Sequence, residues 1–141
     1  MKALAQFATV CLAIVAAGCA TTPEVSDQEL IAQTVESWRT ALLAHDVEGT
    51  MATFSEDFSH YEAPDKKTMH EMLAQAIDMG LGDNMAIDTN AAETKIVPEE
   101  NRATCGPIEL TTVAGSLTGS LVLQKDDDGV WRIVTLEVTD Y

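Results

Sequence analysis

Apolar residues recur along the chain with two different periods, and the change from one to the other divides it. Ile31, Val35, Trp38 and Leu42 stand three or four residues apart, which places them on one face of a helix. Before them, Ser26-Asp27-Gln28-Glu29 has the Ser-x-x-Glu spacing of a capping box, so a first helix is expected from Ser26 to about His45. Asp46 caps a second, shorter helix with Met51 and Phe54 pointing inward. Asp65 caps a third, with Met69, Met72, Leu73, Ala76 and Ile77 as its buried face and Gly80 as its stop. From Met85 onward, β-branched residues and alternation replace helical spacing. Strands are expected near 85–97, 101–113, 117–126 and 130–139. Their turns fall at Pro98-Glu99-Glu100-Asn101, Ala114-Gly115-Ser116 and Asp126-Asp127-Asp128-Gly129. The last is read as an Asp-Gly pair with the positive φ angles of a tight hairpin. Leu117, Gly119, Leu121 and Leu123 share one face of their strand, and Trp131 and Ile133 share one face of the last. Helices followed by an antiparallel meander predict an α+β domain, with the helices covering one face of a curved sheet.

One apolar run fits neither period. Phe7 to Ala17 follows the short positive Met1-Lys2 and leads into Ala16-Ala17-Gly18-Cys19, the layout of a secretory signal too short to remain as a membrane-spanning helix. Ala-Ala-Gly-Cys resembles the bacterial lipobox, where cleavage precedes the cysteine and the thiol is lipidated. Ala16 departs from that pattern, which usually has Leu or Val there. An ordinary signal cut after Gly18 or Ala20 is the alternative. The expectation is a lipoprotein signal over 1–18, a tether over 19–26 and one domain over 27–141, with Cys19 lipidated and serving as the membrane attachment. The protein is then expected in the cell envelope, on the periplasmic side of the outer membrane in a Gram-negative cell, because Ala20 rather than Asp follows the cysteine. Cys11 would leave with the signal and Cys19 would be acylated, so Cys105 has no cysteine to pair with. No zinc spacing is present. Cys105 reads as a small buried strand residue.

Charge narrows the partners. With 23 acidic residues against 8 basic ones, the formal net charge is −15. Loss of residues 1–18 would remove Lys2 and no carboxylate, leaving the chain more acidic still. Such a surface repels phosphate backbones, so nucleic acid is excluded as an expected partner. It also disfavours lying flat on anionic headgroups, which leaves the lipid as the anchor.

Two stretches carry a resemblance. ESWRTALLAHDVEGTMATFSEDFSHYE and KDDDGVWRIVTLEVT resemble the opening and the terminal hairpin of nuclear transport factor 2-like (SnoaL-like) domains, over roughly residues 27–140. The resemblance implies a cone with a ligand cavity between its helices and the concave face of its sheet. It also implies a test of chemistry, because such domains include ketosteroid isomerase. Aligning that enzyme's register puts Glu62 at the position of its carboxylate base. Trp38 then falls where it has a tyrosine, and Leu121 falls on or beside its protonated aspartate. The base is retained while the donors for a developing enolate oxygen are not. The fold by itself hosts enzymes, ligand binders and oligomerisation modules alike.

The leading expectation is therefore a non-catalytic domain that binds a small apolar ligand or forms a homodimer through its sheet. Trp38, Phe54, Phe58, Tyr61 and Leu121 are expected to line the cavity, with His60 or Glu62 as its polar handle. The alternative is an isomerase, dehydratase or cyclase using Glu62 as general base. No cofactor or metal is expected. His60 and His70 could meet Glu62 or Glu71, but nothing in their spacing requires it, and Asp126–Asp128 lacks the alternating ligands of a calcium loop. His45 is read as complementing the dipole at the end of the first helix.

Overall fold

In the computed structural model, residues 23–140 are described. The signal, Cys11 and the expected lipidation site Cys19 lie outside them. Three helices come first: α1 (Asp27–Leu43), α2 (Val47–Ala52) and α3 (Lys66–Asp78). Five strands follow: β1 (Ala86–Asp88), β2 (Glu93–Val97), β3 (Arg102–Thr112), β4 (Gly115–Lys125) and β5 (Trp131–Asp140). All the strands form one antiparallel sheet in which β3, β4 and β5 are consecutive neighbours, and β1 and β2 share the free side of β3.

Each helix starts where its capping residue stands. Ser26 accepts from the Glu29 N–H while Glu29 accepts from the Ser26 N–H, the reciprocal pair of a capping box. Asp46 accepts from Gly49 N–H and Asp65 from Thr68 N–H. Gly80, with φ +80°, ends α3 in the left-handed conformation that glycine tolerates best. His45 takes the same conformation (φ 56°) after α1, and its Nε2 lies 2.8 Å from the Gly82 carbonyl. Its role is to turn the chain and pin the loop after α3, a tertiary contact that a dipole argument does not supply.

The expected strand over 85–97 is two strands. Opposite the break, β3 carries Gly106-Pro107 at a register shift between Cys105 and Ile108. Proline has no N–H to give to a ladder, and the facing segment turns away instead. Asn90 N–H donates to Asp88 Oδ1, and Ala92 N–H donates to Thr89 O. The strand pair β4–β5 has two further shifts, between Thr118 and Gly119 and between Val122 and Leu123. Such bulges bend a sheet and sharpen its twist, giving the concave face on which the helices lie. At the first shift the strands approach so closely that a Cβ on Gly119 would sit 2.4 Å from the Glu137 carbonyl oxygen.

The β4–β5 hairpin also differs from expectation. Gly129 has positive φ (79°), and Asp128 is not among the positive-φ residues. Gly129 N–H donates to Asp126 O, and Asp126 N–H donates to Val130 O, which is a type I turn followed by a left-handed glycine. Two of the three aspartates at its tip are engaged: Arg132 grips Asp128 through both terminal nitrogens (2.8 and 2.9 Å) and reaches Asp126 at 3.0 Å.

The core lies between α1 and the concave face. Ile31, Val35, Trp38 and Leu42 enter from the helix, meeting Ala103, Cys105, Ile108, Leu121, Leu123, Trp131 and Ile133 from the sheet. The segment after α2 docks along the edge of β5: Ile133 N–H donates to Thr53 O, Ser55 N–H to Ile133 O and Ser59 N–H to Val134 O. The edge of β5 at Ile133 and Val134 is thereby satisfied rather than left open to pairing. Asp27 ties the start of α1 to the hairpin, accepting from Lys125 Nζ (2.8 Å) and Trp131 Nε1 (2.9 Å).

These anchors set the response to acid. The Lys125 ammonium, followed by the Trp131 indole, holds the Asp27 carboxyl below its ordinary value. Ser26 N–H does the same for Glu29, Thr68 N–H for Asp65 and the Arg132 guanidinium for Asp128. A carboxyl with a depressed folded-state pKa contributes stability above its unfolded-state value and loses it as pH falls through the folded-state value. The urea midpoint is therefore expected to hold from neutrality down to about pH 5 and to decline below about pH 4. The decline should be smaller in an Asp65→Asn variant, which no longer has that group to protonate.

Candidate functional site

An apolar pocket of about 190 Å³ opens between α1, α3 and the concave face of the sheet. Trp38 from α1 and Met69 and Met72 from α3 form one side. Ile108, Leu110, Leu117, Leu121, Leu136 and Val138 form the sheet side. His60 and Glu62, from the loop before α3, stand in the same lining. Gly119, Ser120 and Glu137 also border the pocket, but alternation along a strand sends the side chains of Ser120 and Glu137 to the opposite face from Leu121 and Leu136. Gly106 supports this assignment, since a Cβ built there would collide with Ser120 Oγ at 2.1 Å, away from the buried Cys105. Those two residues thus offer the pocket backbone only.

The pocket exists because α3 covers the sheet loosely. No residue of α3 is fully buried, contrary to the expectation of a buried apolar face. Met69, Leu73, Ala76 and Ile77 are half-buried and Met72 is exposed. Of the apolar stripe predicted for α3, Met69 and Leu73 pack against the edge of the core, and Met69 and Met72 face the hollow. On its other side α3 is tied to α2 and its exit loop by Lys66–Glu56 and His70–Glu48, both 2.6 Å.

The loop carrying the polar groups is a tight turn. His60 N–H donates to Ala63 O, and Ala63 N–H donates back to His60 O. Glu62 N–H lies 3.3 Å from His60 Nδ1; as the acceptor, that nitrogen leaves Nε2 to carry the ring's proton. The Glu62 side chain is exposed, at the rim rather than in the depth, and makes no hydrogen bond or ion pair to the described residues. Trp38 Nε1 likewise has no hydrogen-bond partner among them.

Of the residues expected at the cavity, Trp38, His60, Glu62 and Leu121 stand together in this lining. Three do not. Phe54 and Phe58 are buried at 3% and 2% exposure in the core, with ring centroids 5.0 Å apart in an edge-on pair. They are held there by the docking of residues 53–59 on β5. Tyr61 is 73% exposed and its ring lies beside that of His60; the turn points one of the two neighbours inward and the other out. His60 and His70 stand apart, His60 in this lining and His70 against Glu48, and among the described residues no group of three or more His, Cys, Asp or Glu could hold a metal ion. No helix among them is long and apolar enough to cross a membrane. Cys105 is buried in β3.

Solved structures share this arrangement of helices on a curved sheet. A protein of unknown function with a cystatin-like fold from Nostoc punctiforme superposes with a TM-score of 0.64 at 17% identity, over 82% of this chain and 91% of that one. A nuclear transport factor 2-like protein of unknown function from Shewanella oneidensis gives 0.61 at 16% identity, over 82% and 100%. The fold is the nuclear transport factor 2-like cone. A ketosteroid isomerase-like protein from Erwinia carotovora shares it, with a TM-score of 0.58 and 17% identity over 79% of this chain and 94% of that one. No protein-family model matches the chain, and no curated protein matches it by sequence.

Within the cone, the chemistry available is limited by what lines it. General-base work needs a carboxylate near the reacting carbon and a donor aimed at the oxygen that gains charge. The side chains facing this pocket provide one rim carboxylate, one imidazole and one indole N–H. Leu121, 3% exposed and wholly apolar, adds no donor.

Proposed function

We propose that this is a lipid-anchored protein of the cell envelope whose cone binds a small, mostly apolar molecule and does not transform it. The observation that carries the reading is the pocket itself: about 190 Å³ walled by aliphatic side chains, with its few polar groups gathered at one rim. Apolar concavities with few polar groups are the usual form of small-molecule sites. A cavity of about 150 Å³ accepts a benzene ring, so the volume suits one ring with a short chain. The envelope location rests on the Ala-Ala-Gly-Cys run ending at Cys19.

Trp38 is the reporter for the test. Titration of the full chain with neutral single-ring compounds such as phenylpropanol is expected to shift tryptophan emission saturably. Trp38→Phe should abolish that shift while binding persists by calorimetry. Failure of every such compound to saturate would remove the reading. The second reading, an isomerase or dehydratase, is favoured by one observation: Glu62 and His60 share the pocket with Trp38. It requires a turnover of some small carbonyl compound that Glu62→Gln eliminates.

A further inference from the structure

The pocket's charge is one-sided, and that restricts its ligand. None of its lining residues is a lysine or an arginine. The basic residues nearest in sequence are already matched on the far side of α3, Lys66 with Glu56 and Lys67 with Glu71. Glu62 is the carboxylate whose side chain the lining contains, and no described residue neutralises it. Resting on the binding function proposed above, we infer that the cone selects a small apolar cation, an amine on a single-ring or short aliphatic body, and rejects the corresponding carboxylate.

The physical argument has two ranges. At short range, a ligand ammonium about 4 Å from Glu62 gains roughly fivefold in affinity even in a water-like dielectric, and a carboxylate there loses a similar factor. At long range, a chain with a net charge of −15 attracts cations and repels anions, an effect that added salt screens. Hydrophobic contact with Leu117, Leu121 and Leu136 is the same for all three forms of one ligand body. The charged end therefore decides among them. His60 turns its Nδ1 toward the Glu62 N–H at 3.3 Å, so that nitrogen is engaged within the turn.

Calorimetry on the full chain with phenylpropylamine, phenylpropanol and phenylpropanoate tests this directly. At low salt the amine is expected to bind about twentyfold more tightly than the carboxylate, with the alcohol between them. Glu62→Gln should remove most of the ratio, Glu62→Asp should keep it, and far-UV circular dichroism checks that both remain folded. Glu109→Gln removes an exposed carboxylate from the face of β3 opposite Ile108 and Leu110 and should leave the ratio unchanged. Equal binding of amine and carboxylate, or a ratio that falls as far in Glu109→Gln as in Glu62→Gln, overturns the selectivity. If the alcohol binds in those cases, the pocket stands and only its charge preference is lost. If none of the three binds, the pocket reading fails and this inference with it.

Discussion

Trp131→Ala is expected to lower the unfolding free energy by about 3–5 kcal/mol, the usual range for removing a buried aromatic side chain. For a domain of this size that corresponds to a fall in Tm of roughly 10–20 °C, read by calorimetry or circular dichroism. The position concentrates three kinds of contact. The ring is 2% exposed at the centre of the core. Its indole N–H donates to Asp27 at 2.9 Å, and its carbonyl accepts from Thr34 Oγ1 at 2.8 Å. Both partners lie on α1, so this one residue fixes the first helix to the last strand. Trp131→Phe separates the effects: it keeps most of the bulk and the backbone acceptor and loses only the donor. A loss in the phenylalanine variant equal to that in the alanine variant would mean that the Asp27 bond, not packing, holds α1 in place. A negligible loss in both would show that the helix is anchored elsewhere.

How much of this was legible beforehand depends on whether a feature is local. The helix starts could be read because a cap is a short-range contact: Ser26, Asp46 and Asp65 each bond a backbone N–H three residues on. The face of α1 was equally plain. Strand registers were not, because three bulges interrupt the alternation and each single-residue shift moves later side chains to the other face. Read straight on from Trp131 and Ile133, alternation would send Thr135 and Glu137 inward. The shift at Leu123 makes Val134 the additional residue, and Leu136 and Val138 face the pocket instead. Of the six apolar sheet residues in the lining, Leu121 alone was expected there, and this shift is what hid Leu136 and Val138. Phe54 and Phe58 were misplaced because nothing local announces that residues 53–59 pair with β5. Proline at 107 was the available signal for the split first strand, since it marks where a ladder must break.

Leu136→Trp carries the largest expected effect on binding. Leu136 pairs with Leu121 across β4–β5 and is half-buried, packed against the core and bordering the pocket. An indole there would occupy the 190 Å³ that a ligand ring needs. A phenyl ring buries about 150 Å² or more; at about 25 cal/mol per Å² this is worth roughly 4 kcal/mol, a loss of several hundredfold in affinity. Stability should not fall with it. Overpacking costs about 1–3 kcal/mol where a side chain is forced into a filled core, but here the added atoms enter a hollow already walled by leucines and methionines. The variant is therefore expected to unfold at or above the parent's temperature while its titration with phenylpropanol becomes flat. The two readouts together distinguish a filled site from a damaged protein. If the variant is as stable as its parent and binds just as tightly, the ligand occupies some other surface, and the cone does not hold it.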